Sequence, residues 1–508
     1  MSTKILSAAL IGLEAEIIEV EADSGGGDFG QIAIVGLPDT SVSEAKERVK
    51  SALRNCQAEF PRRKITVNLA PANIKKHGPA YDLPIAISIL ALKNNFKIDF
   101  KNCIFVGELS LSGELRPITG VLAIAMKAKL LNIKNLFIPE ENLNEANLIS
   151  NLNIYPLKNL QQIISHLKNK RLIKNNNELG SRVLNYERKQ TIYPNFCLIK
   201  GQEKAKRALE IAAAGAHNIL LIGPPGSGKT LLAKSVPGLL PELLHEEILE
   251  VTNIYSVAGA LKNKLDLIIE RPFRSPHHSA SGISLIGGGS WPKPGEISLA
   301  HRGILFLDEF PEFNRSTLEN LRQPLEESYI NITRASGSIC FPCNFILIAA
   351  MNPCPCGYYG DKKINCVCKE NQINNYRRRI SGPIMDRIDL HVNVPRISFD
   401  KLSSYEQAEN SEKIKDRIIL ARKIQAQRFA DQTFTTNSEM DSEKTQKYCR
   451  LEAEGKSLLE KASEKLNFSS RSYFRILKVA RTIADLAGSD SILTEHLAEA
   501  LQYKSKIE

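Results

Sequence analysis

The 508-residue sequence has no uninterrupted apolar run at its amino terminus: the stretch that follows Met1-Ser2-Thr3-Lys4 is broken by Glu14 and Glu16. Neither a secretory signal nor a membrane-spanning helix is written there, so the expectation is a cytoplasmic protein without a membrane partner. Cysteine is too sparse for a disulfide framework: six of the ten read as ordinary buried thiols, and four fall together between Cys354 and Cys368. A single hydrophobic core is excluded by length, while 43% hydrophobic and 24% charged residues are ordinary for globular domains, so two or three domains are expected. A surplus of basic residues gives a net charge of +11 and a pI of about 9.0. Clustered cations gain free energy by releasing counterions from a phosphate backbone, which favours a polyanionic partner. Lys, Asn and Ile are abundant throughout, however, and a generally Lys-rich composition accounts for the same surplus. Charge alone leaves both readings open.

What is present is an alternating α/β pattern. Residues 1–167 carry short β-rich runs, such as Gln31-Ile32-Ala33-Ile34-Val35 and Lys64-Ile65-Thr66-Val67-Asn68-Leu69, between helical stretches over Ser41–Cys56 and Pro84–Lys93. Residues 168–195 are polar and basic without apolar periodicity, and read as a linker. A second α/β domain is expected over 196–395. From 396 to 508 the pattern is helical, with candidate helices over Ile414–Arg428, Gly455–Leu466, Ser470–Leu486 and Thr494–Gln502.

Within the second domain the apolar run Asn218-Ile219-Leu220-Leu221-Ile222 ends at Gly223-Pro224-Pro225-Gly226-Ser227-Gly228-Lys229-Thr230, and a helical Leu231-Leu232-Ala233-Lys234 follows. Strand, Gly-rich loop and helix in this order make a phosphate-binding loop. The glycines let backbone N–H groups turn inward, Lys229 reaches the β- and γ-phosphates of ATP, and the Thr230 hydroxyl ligates Mg²⁺. A second apolar run, Gly303–Leu307, delivers Asp308 to the Mg²⁺ shell and Glu309 to the attacking water. A third, Asn344–Ala350, ends at Asn352, a polar group suited to the same water and also a common turn former.

Around these motifs the sequence is similar to the ComM/YifB family of magnesium-chelatase-like AAA+ proteins. The likeness spans essentially the whole chain. It rests on Gly201-Gln202 through Arg207–Gly215, on Arg271-Pro272-Phe273-Arg274-Ser275-Pro276-His277-His278, on Ile286-Gly287-Gly288-Gly289, and on Pro294–His301, Met351–Gly357 and Ser381–Leu390. The resemblance implies a P-loop AAA+ core with a helix-2 insert and a helical carboxy-terminal lid, assembled as a ring, expected to be a hexamer, with ATP bound between subunits. It puts an arginine finger acting on the neighbouring subunit's site at Arg387, and a sensor-2 contact to the γ-phosphate at Arg471. The alternative for either residue is a surface salt bridge, and the motif favours the functional role for both.

Two insertions separate the chain from a minimal P-loop ATPase. One is the Gly- and Ser-rich segment Pro272–Ala300, and the other reads as a β-hairpin, Tyr329–Arg334 and Ser338–Phe341 about a turn at Ala335-Ser336-Gly337. By resemblance both line the ring's pore, where Trp291, Lys293 and Arg334 would meet DNA; ordinary loop and packing roles account for these residues as well. The pair His277-His278 has no assigned partner. Cys354-Pro355-Cys356 and Cys366-Val367-Cys368 can supply four thiolates to a structural Zn²⁺, against four unligated thiols in a loop.

The first domain resembles the Lon protease domain over Lys75–Asp82 and Gly107–Leu122. The nucleophile position of that family falls here on Ala80 and its lysine base on Leu122, so Ser-Lys chemistry is absent. The function that the ComM/YifB resemblance implies is an ATP-driven DNA motor, a branch-migration helicase acting in homologous recombination or natural transformation. A chelatase-type motor that drives a partner's metal insertion is the alternative, and a Lon-type protease is disfavoured by Ala80 and Leu122.

Overall fold

A computed structural model describes residues 2–504 other than 26–30, 59, 62, 95, 176–192, 262–266, 290, 335–336, 362, 398–408, 433 and 467–468. Most of the expected linker, 168–195, therefore lies outside the described residues. The chain divides into two compact units, one of residues 1–189 with 248–268 and the other of 190–247 with 269–508. No helix among the described residues is long and apolar enough to cross a membrane.

The first unit is built on a seven-stranded mixed sheet. Its order is Ile32–Val35, Lys64–Ala70, Glu14–Gly25, Ser2–Ile11, Cys103–Phe105, Asn135–Pro139 and Asn153–Leu157. Helices Thr40–Asn55, Asp82–Ala91 and Val121–Leu130 belong to the same unit; the first is capped by Asp39, whose side chain accepts from Val42 N. Ala80 lies in the 3-10 turn Pro79–Tyr81, and Leu122 is buried in the first turn of Val121–Leu130 with its N–H donating to Glu145 Oε1 at 2.8 Å.

One segment departs from the contiguous 196–395 core expected from the pattern. The part of helix His245–Ala258 from Ile248 onward groups with the first unit. Its Asn253 Nδ2 donates to Leu13 O at 3.0 Å, and Ser256 Oγ accepts from Gly120 N at 3.0 Å and bonds Glu145. Nothing in local composition marks this change of partner, because Val251, Ile254 and Val257 form an apolar face that either unit would bury.

The second unit centres on a five-stranded parallel sheet in the order Phe273–Arg274, Ile304–Leu307, Ile346–Met351, Ile219–Ile222, Leu390–Asn393. Ile304–Leu307 and Ile346–Met351 are buried throughout, as expected for parallel strands covered on both faces. The strand leading into the phosphate loop lies between the last two strands of the chain's sequence order, so the loop opens where the winding reverses, at the carboxyl edge where such sheets bind ligands. Helices Ser411–Arg428, Ser442–Tyr448, Ala453–Leu466, Ser470–Leu486 and Thr494–Gln502 complete the unit. Ile414, Ile418 and Ala421, spaced on one helical face, join Ala208, Leu209 and Leu221 in its core.

Candidate nucleotide site

Register brings the site together. Ile222 pairs with Met351 and Leu307 with Ala349, so the residues that follow these strands, Gly223, Asn352 and Asp308, emerge on one edge. Gly223 N donates to Met351 O at 3.2 Å, and a Cβ on Gly223 would lie 2.1 Å from Val394 O, so only glycine fits the start of the loop. Gly226 and Gly228 have φ of +74° and +93°, and a Cβ built on either meets no atom within 4 Å. The loop is thus an open cradle of left-handed backbone, the shape that turns N–H groups toward an anion.

Lys229 Nζ donates to Gly223 O at 2.7 Å, to Pro224 O at 3.0 Å and to Asn352 Oδ1 at 3.2 Å. Burial lowers its pKa and the nearby Asp308 opposes that shift, so the ammonium gains when a further anion enters the cradle. Thr230 Oγ1 donates to Asp308 Oδ2 at 2.8 Å, which pairs the two oxygen groups proposed for Mg²⁺. Among the described residues Ser227 Oγ is buried without a hydrogen-bond partner. These donors and oxygens fit a magnesium–nucleotide.

Glu309 stands just beyond, with φ of +51°, a left-handed conformation that a non-glycine residue holds only under constraint. Its N–H donates to Asp308 Oδ1 at 2.9 Å, its carbonyl accepts from Glu312 N at 2.7 Å, and its carboxylate Oε2 lies 3.0 Å from His278 Nδ1. The sequence singled out His277-His278 without a partner for either, and the structure supplies one. The signal was legible only through register: Phe273 and Arg274 pair with Ile304 and Leu305, and the same register continued sets His278 level with Glu309.

Arg387 and Arg471 meet on one carboxylate. Arg387 is buried, its Nη2 2.6 Å from Glu326 Oε1 and its Nη1 donating to Pro383 O at 2.6 Å; Arg471, exposed in the first turn of Ser470–Leu486, lies 3.7 Å from the same Glu326 oxygen. Arg475, one turn further on, is bound to Asp389 at 2.6 Å and to the Arg387 carbonyl at 2.7 Å.

The four clustered cysteines converge. Sγ of Cys354 lies 3.3 Å from that of Cys356 and 3.6 Å from that of Cys366, and the sulfurs of all four, Cys368 included, lie within 4.8 Å of one another. A tetrahedral Zn²⁺ with Zn–S of about 2.3 Å places its sulfurs about 3.8 Å apart, so the set fits that metal. The cluster also buttresses the phosphate loop: Gly357, at φ +87°, packs so closely that a Cβ there would lie 2.6 Å from Pro225 Cδ.

In the first insertion the segment contains a short helix, Gly282–Ile286, and paired strands Gly287–Gly288 and Lys293–Pro294. Lys293 is exposed and Trp291 half-buried. Strands Tyr329–Arg334 and Gly337–Pro342 form the expected second hairpin; the described residues include the backbone of Arg334, paired with Gly337. The two insertions touch, since a Cβ at Gly287 would lie 3.2 Å from Ile332 Cδ1.

A phosphate cradle at the switch point of a five-stranded parallel sheet, an acidic pair on the same edge and a helical lid domain define an ATPase of the AAA+ class. Residues 195–402 match the family described as magnesium chelatase, subunit ChlI, residues 408–504 match the carboxy-terminal part of that subunit, and residues 18–142 match subunit ChlI of Mg-chelatase. The chain is 42% identical over 508 residues to competence protein ComM of Haemophilus influenzae, covering 99% of this chain and 97% of that protein. It is 41% identical over 512 residues to YifB of Escherichia coli, covering 99% and 97%, and 26% identical over 263 residues to magnesium-chelatase subunit ChlI of Mesostigma viride, covering 46% and 69%. The chain belongs to the ComM/YifB family of magnesium-chelatase-like AAA+ ATPases, a membership that implies ATP and Mg²⁺ as its cofactors.

Proposed function

We propose that the protein is a cytoplasmic ATP-driven DNA motor, a branch-migration helicase working as a hexameric ring in homologous recombination or natural transformation. The phosphate loop from Gly223 to Thr230 binds the nucleotide, with Lys229 on its β- and γ-phosphates. Thr230 and Asp308 hold Mg²⁺, Glu309 polarises the attacking water and Asn352 orients it. Arg387 acts on the site of the neighbouring subunit, and Arg471 senses the γ-phosphate from the lid. In that ring Arg387 would have to exchange Glu326 for phosphate, a swap between two anions that keeps the guanidinium paired.

The observation that carries the DNA reading is the contact between the two insertions, which puts exposed Lys293 on a segment braced by the second hairpin in a chain of net charge +11. Lys293 and Arg334 would meet phosphates and Trp291 a base face. The likeness to a competence protein supports the same reading, and the matches to magnesium-chelatase subunits support the alternative of a motor for a metal-inserting partner. Zn²⁺ on Cys354, Cys356, Cys366 and Cys368 is structural, because four protein ligands leave no open position. The first unit retains a Lon-like shape for DNA contact or assembly, without a nucleophile at Ala80 or a base at Leu122. Incubation of the purified protein with branched DNA and ATP tests the reading: strand exchange or separation that needs ATP supports it, and intact branches under conditions of active hydrolysis contradict it.

A further inference from the structure

Helix Ser411–Arg428 carries two stripes at helical spacing. Ile414, Ile418, Ala421 and Gln425 are buried, whereas Ile419, Arg422, Lys423 and Ala426, one position further round, line a cavity of about 340 Å³. The same cavity is lined by Gly303, Phe345 and Ile346, at the amino ends of strands Ile304–Leu307 and Ile346–Met351. The phosphate loop leaves the carboxyl edge of that parallel sheet, so the cavity and the nucleotide cradle lie at opposite edges. We propose that this cavity is a second ligand site, for a small organic acid that carries one anionic group on an apolar body and sets that group against Arg422. Such a site is independent of the DNA-motor reading.

Size and lining set the body of the ligand. Leu240, Phe345, Ile346 and Ile419 supply apolar wall, and Leu244, which also lines the cavity, is 70% exposed, so an apolar body would cover hydrocarbon that now faces water. Charge sets the head group. The lining holds four basic side chains, Arg271, Arg302, Arg422 and Lys423, and three carboxylates, Glu242, Glu247 and Glu439. Glu247 Oε2 lies 3.2 Å from Arg271 Nη2 and accepts from Leu244 N at 3.1 Å. Glu439 accepts from Asn344 Nδ2 at 2.7 Å, from Thr436 N at 3.0 Å and from Thr436 Oγ1 at 2.7 Å. Arg422 has no such partner. Its Nε and Nη2 both donate to Ala213 O, at 3.2 and 2.7 Å, and among the described residues its Nη1 has no hydrogen-bond partner and no carboxylate is paired with it. Capping the carboxyl end of helix Glu203–Gly215 thus occupies two of its three guanidinium nitrogens and leaves the third. Burial first, and Arg271 second, lower its pKa to about 10, which Glu439 and Glu247 only partly offset. An acid bound at Nη1 supplies the missing counter-charge by a charge-assisted hydrogen bond.

The test is a fluorescence titration of the full-length protein, held in saturating ADP and Mg²⁺ so that the nucleotide cradle is filled. Two probes are compared: 8-anilinonaphthalene-1-sulfonate, an apolar body with one anionic group, and N-phenyl-1-naphthylamine, the same rings without the sulfonate. The sulfonate is expected to bind saturably at one site per chain, about tenfold to a hundredfold more tightly than the neutral probe, the factor that one hydrogen bond between charged groups supplies. Arg422→Gln should weaken the sulfonate by a similar factor and leave the neutral probe nearly unchanged. Ala426→Trp, which adds bulk to the cavity from an exposed helix position, should abolish binding of both. Sulfonate binding in Ala426→Trp equal to that of the wild type overturns the cavity as the site, and no saturable binding to the wild type overturns the proposal outright. Equal wild-type affinities for the two probes overturn the preference for an acid, as does a sulfonate affinity unchanged in Arg422→Gln. If Arg422→Gln folds poorly, the two probes on the wild type and on Ala426→Trp decide. Each of these failures would leave the nucleotide and DNA readings standing.

Discussion

Lys229 and Glu309 should fail differently. Lys229 is buried among carbonyl oxygens and Asn352, a setting that stabilises a cation chiefly when phosphate is present, so Lys229→Ala is expected to weaken nucleotide binding and turnover together. Glu309→Gln keeps the shape and the binding groups but removes the acceptor for the water's proton. It should retain nucleotide and lose hydrolysis, read by nucleotide titration beside a turnover assay; a Gln variant with most of its turnover would remove Glu309 from the role. His391 offers a pH-dependent counterpart. Burial, first, and Lys504, second, lower its pKa to about 4 from 6.5, so the folded chain binds the proton more weakly than the unfolded one. The unfolded state then takes up more protons as pH falls, and stability from this residue is full above pH 6.5 and declines toward about pH 4. Thermal unfolding followed between those values should show that decline, and His391→Gln should flatten it; an unchanged slope would contradict the assignment.

Elements differ in how openly the sequence announces them. The strand into the phosphate loop and the helices Ser470–Leu486 and Thr494–Gln502 were legible from apolar periodicity; the first of these helices is capped by Ser469, which accepts from Ser472 N. Ser442–Tyr448 was missed because it is short and polar and buries only Thr445, which leaves no periodic face to read. Helix His245–Ala258 was missed within the core, and with it the change of unit at Ile248. Local pattern carries no information about which body a face will be buried against. The candidate site was legible wherever residues are neighbours in sequence, as in the loop from Gly223 to Thr230 or Asp308-Glu309. It was illegible wherever side chains meet across elements, as His278 meets Glu309 and Arg387 meets Glu326. The cysteine loop falls between these cases: spacing pointed to a metal, and folding brought Gly357 onto Pro225. Metal analysis of protein prepared without chelators is expected to find about one zinc per chain, lost when Cys354 and Cys368 are both replaced by Ser. A well-folded preparation without zinc would refute the site.

The whole molecule works as a motor only if its sites are shared and its cycle answers to a track. Sharing is tested by mixing. Arg387→Ala alone should abolish hydrolysis while leaving nucleotide binding largely intact, and mixed with Lys229→Ala it should regain some activity, since one variant supplies the intact cradle and the other the intact arginine. Mixed rings shown to have formed, yet with no recovery, would count against action across the subunit boundary. The track is tested most directly by ATP hydrolysis measured with branched and single-stranded DNA from low to physiological salt. The expected result is stimulation that weakens steeply as salt rises, because each neutralised phosphate has released a counterion, and that falls more than the basal rate on substitution of Lys293 or Arg334. Hydrolysis indifferent to every DNA structure at every salt concentration, in an assembled ring with its zinc in place, would contradict the assignment of DNA as the track.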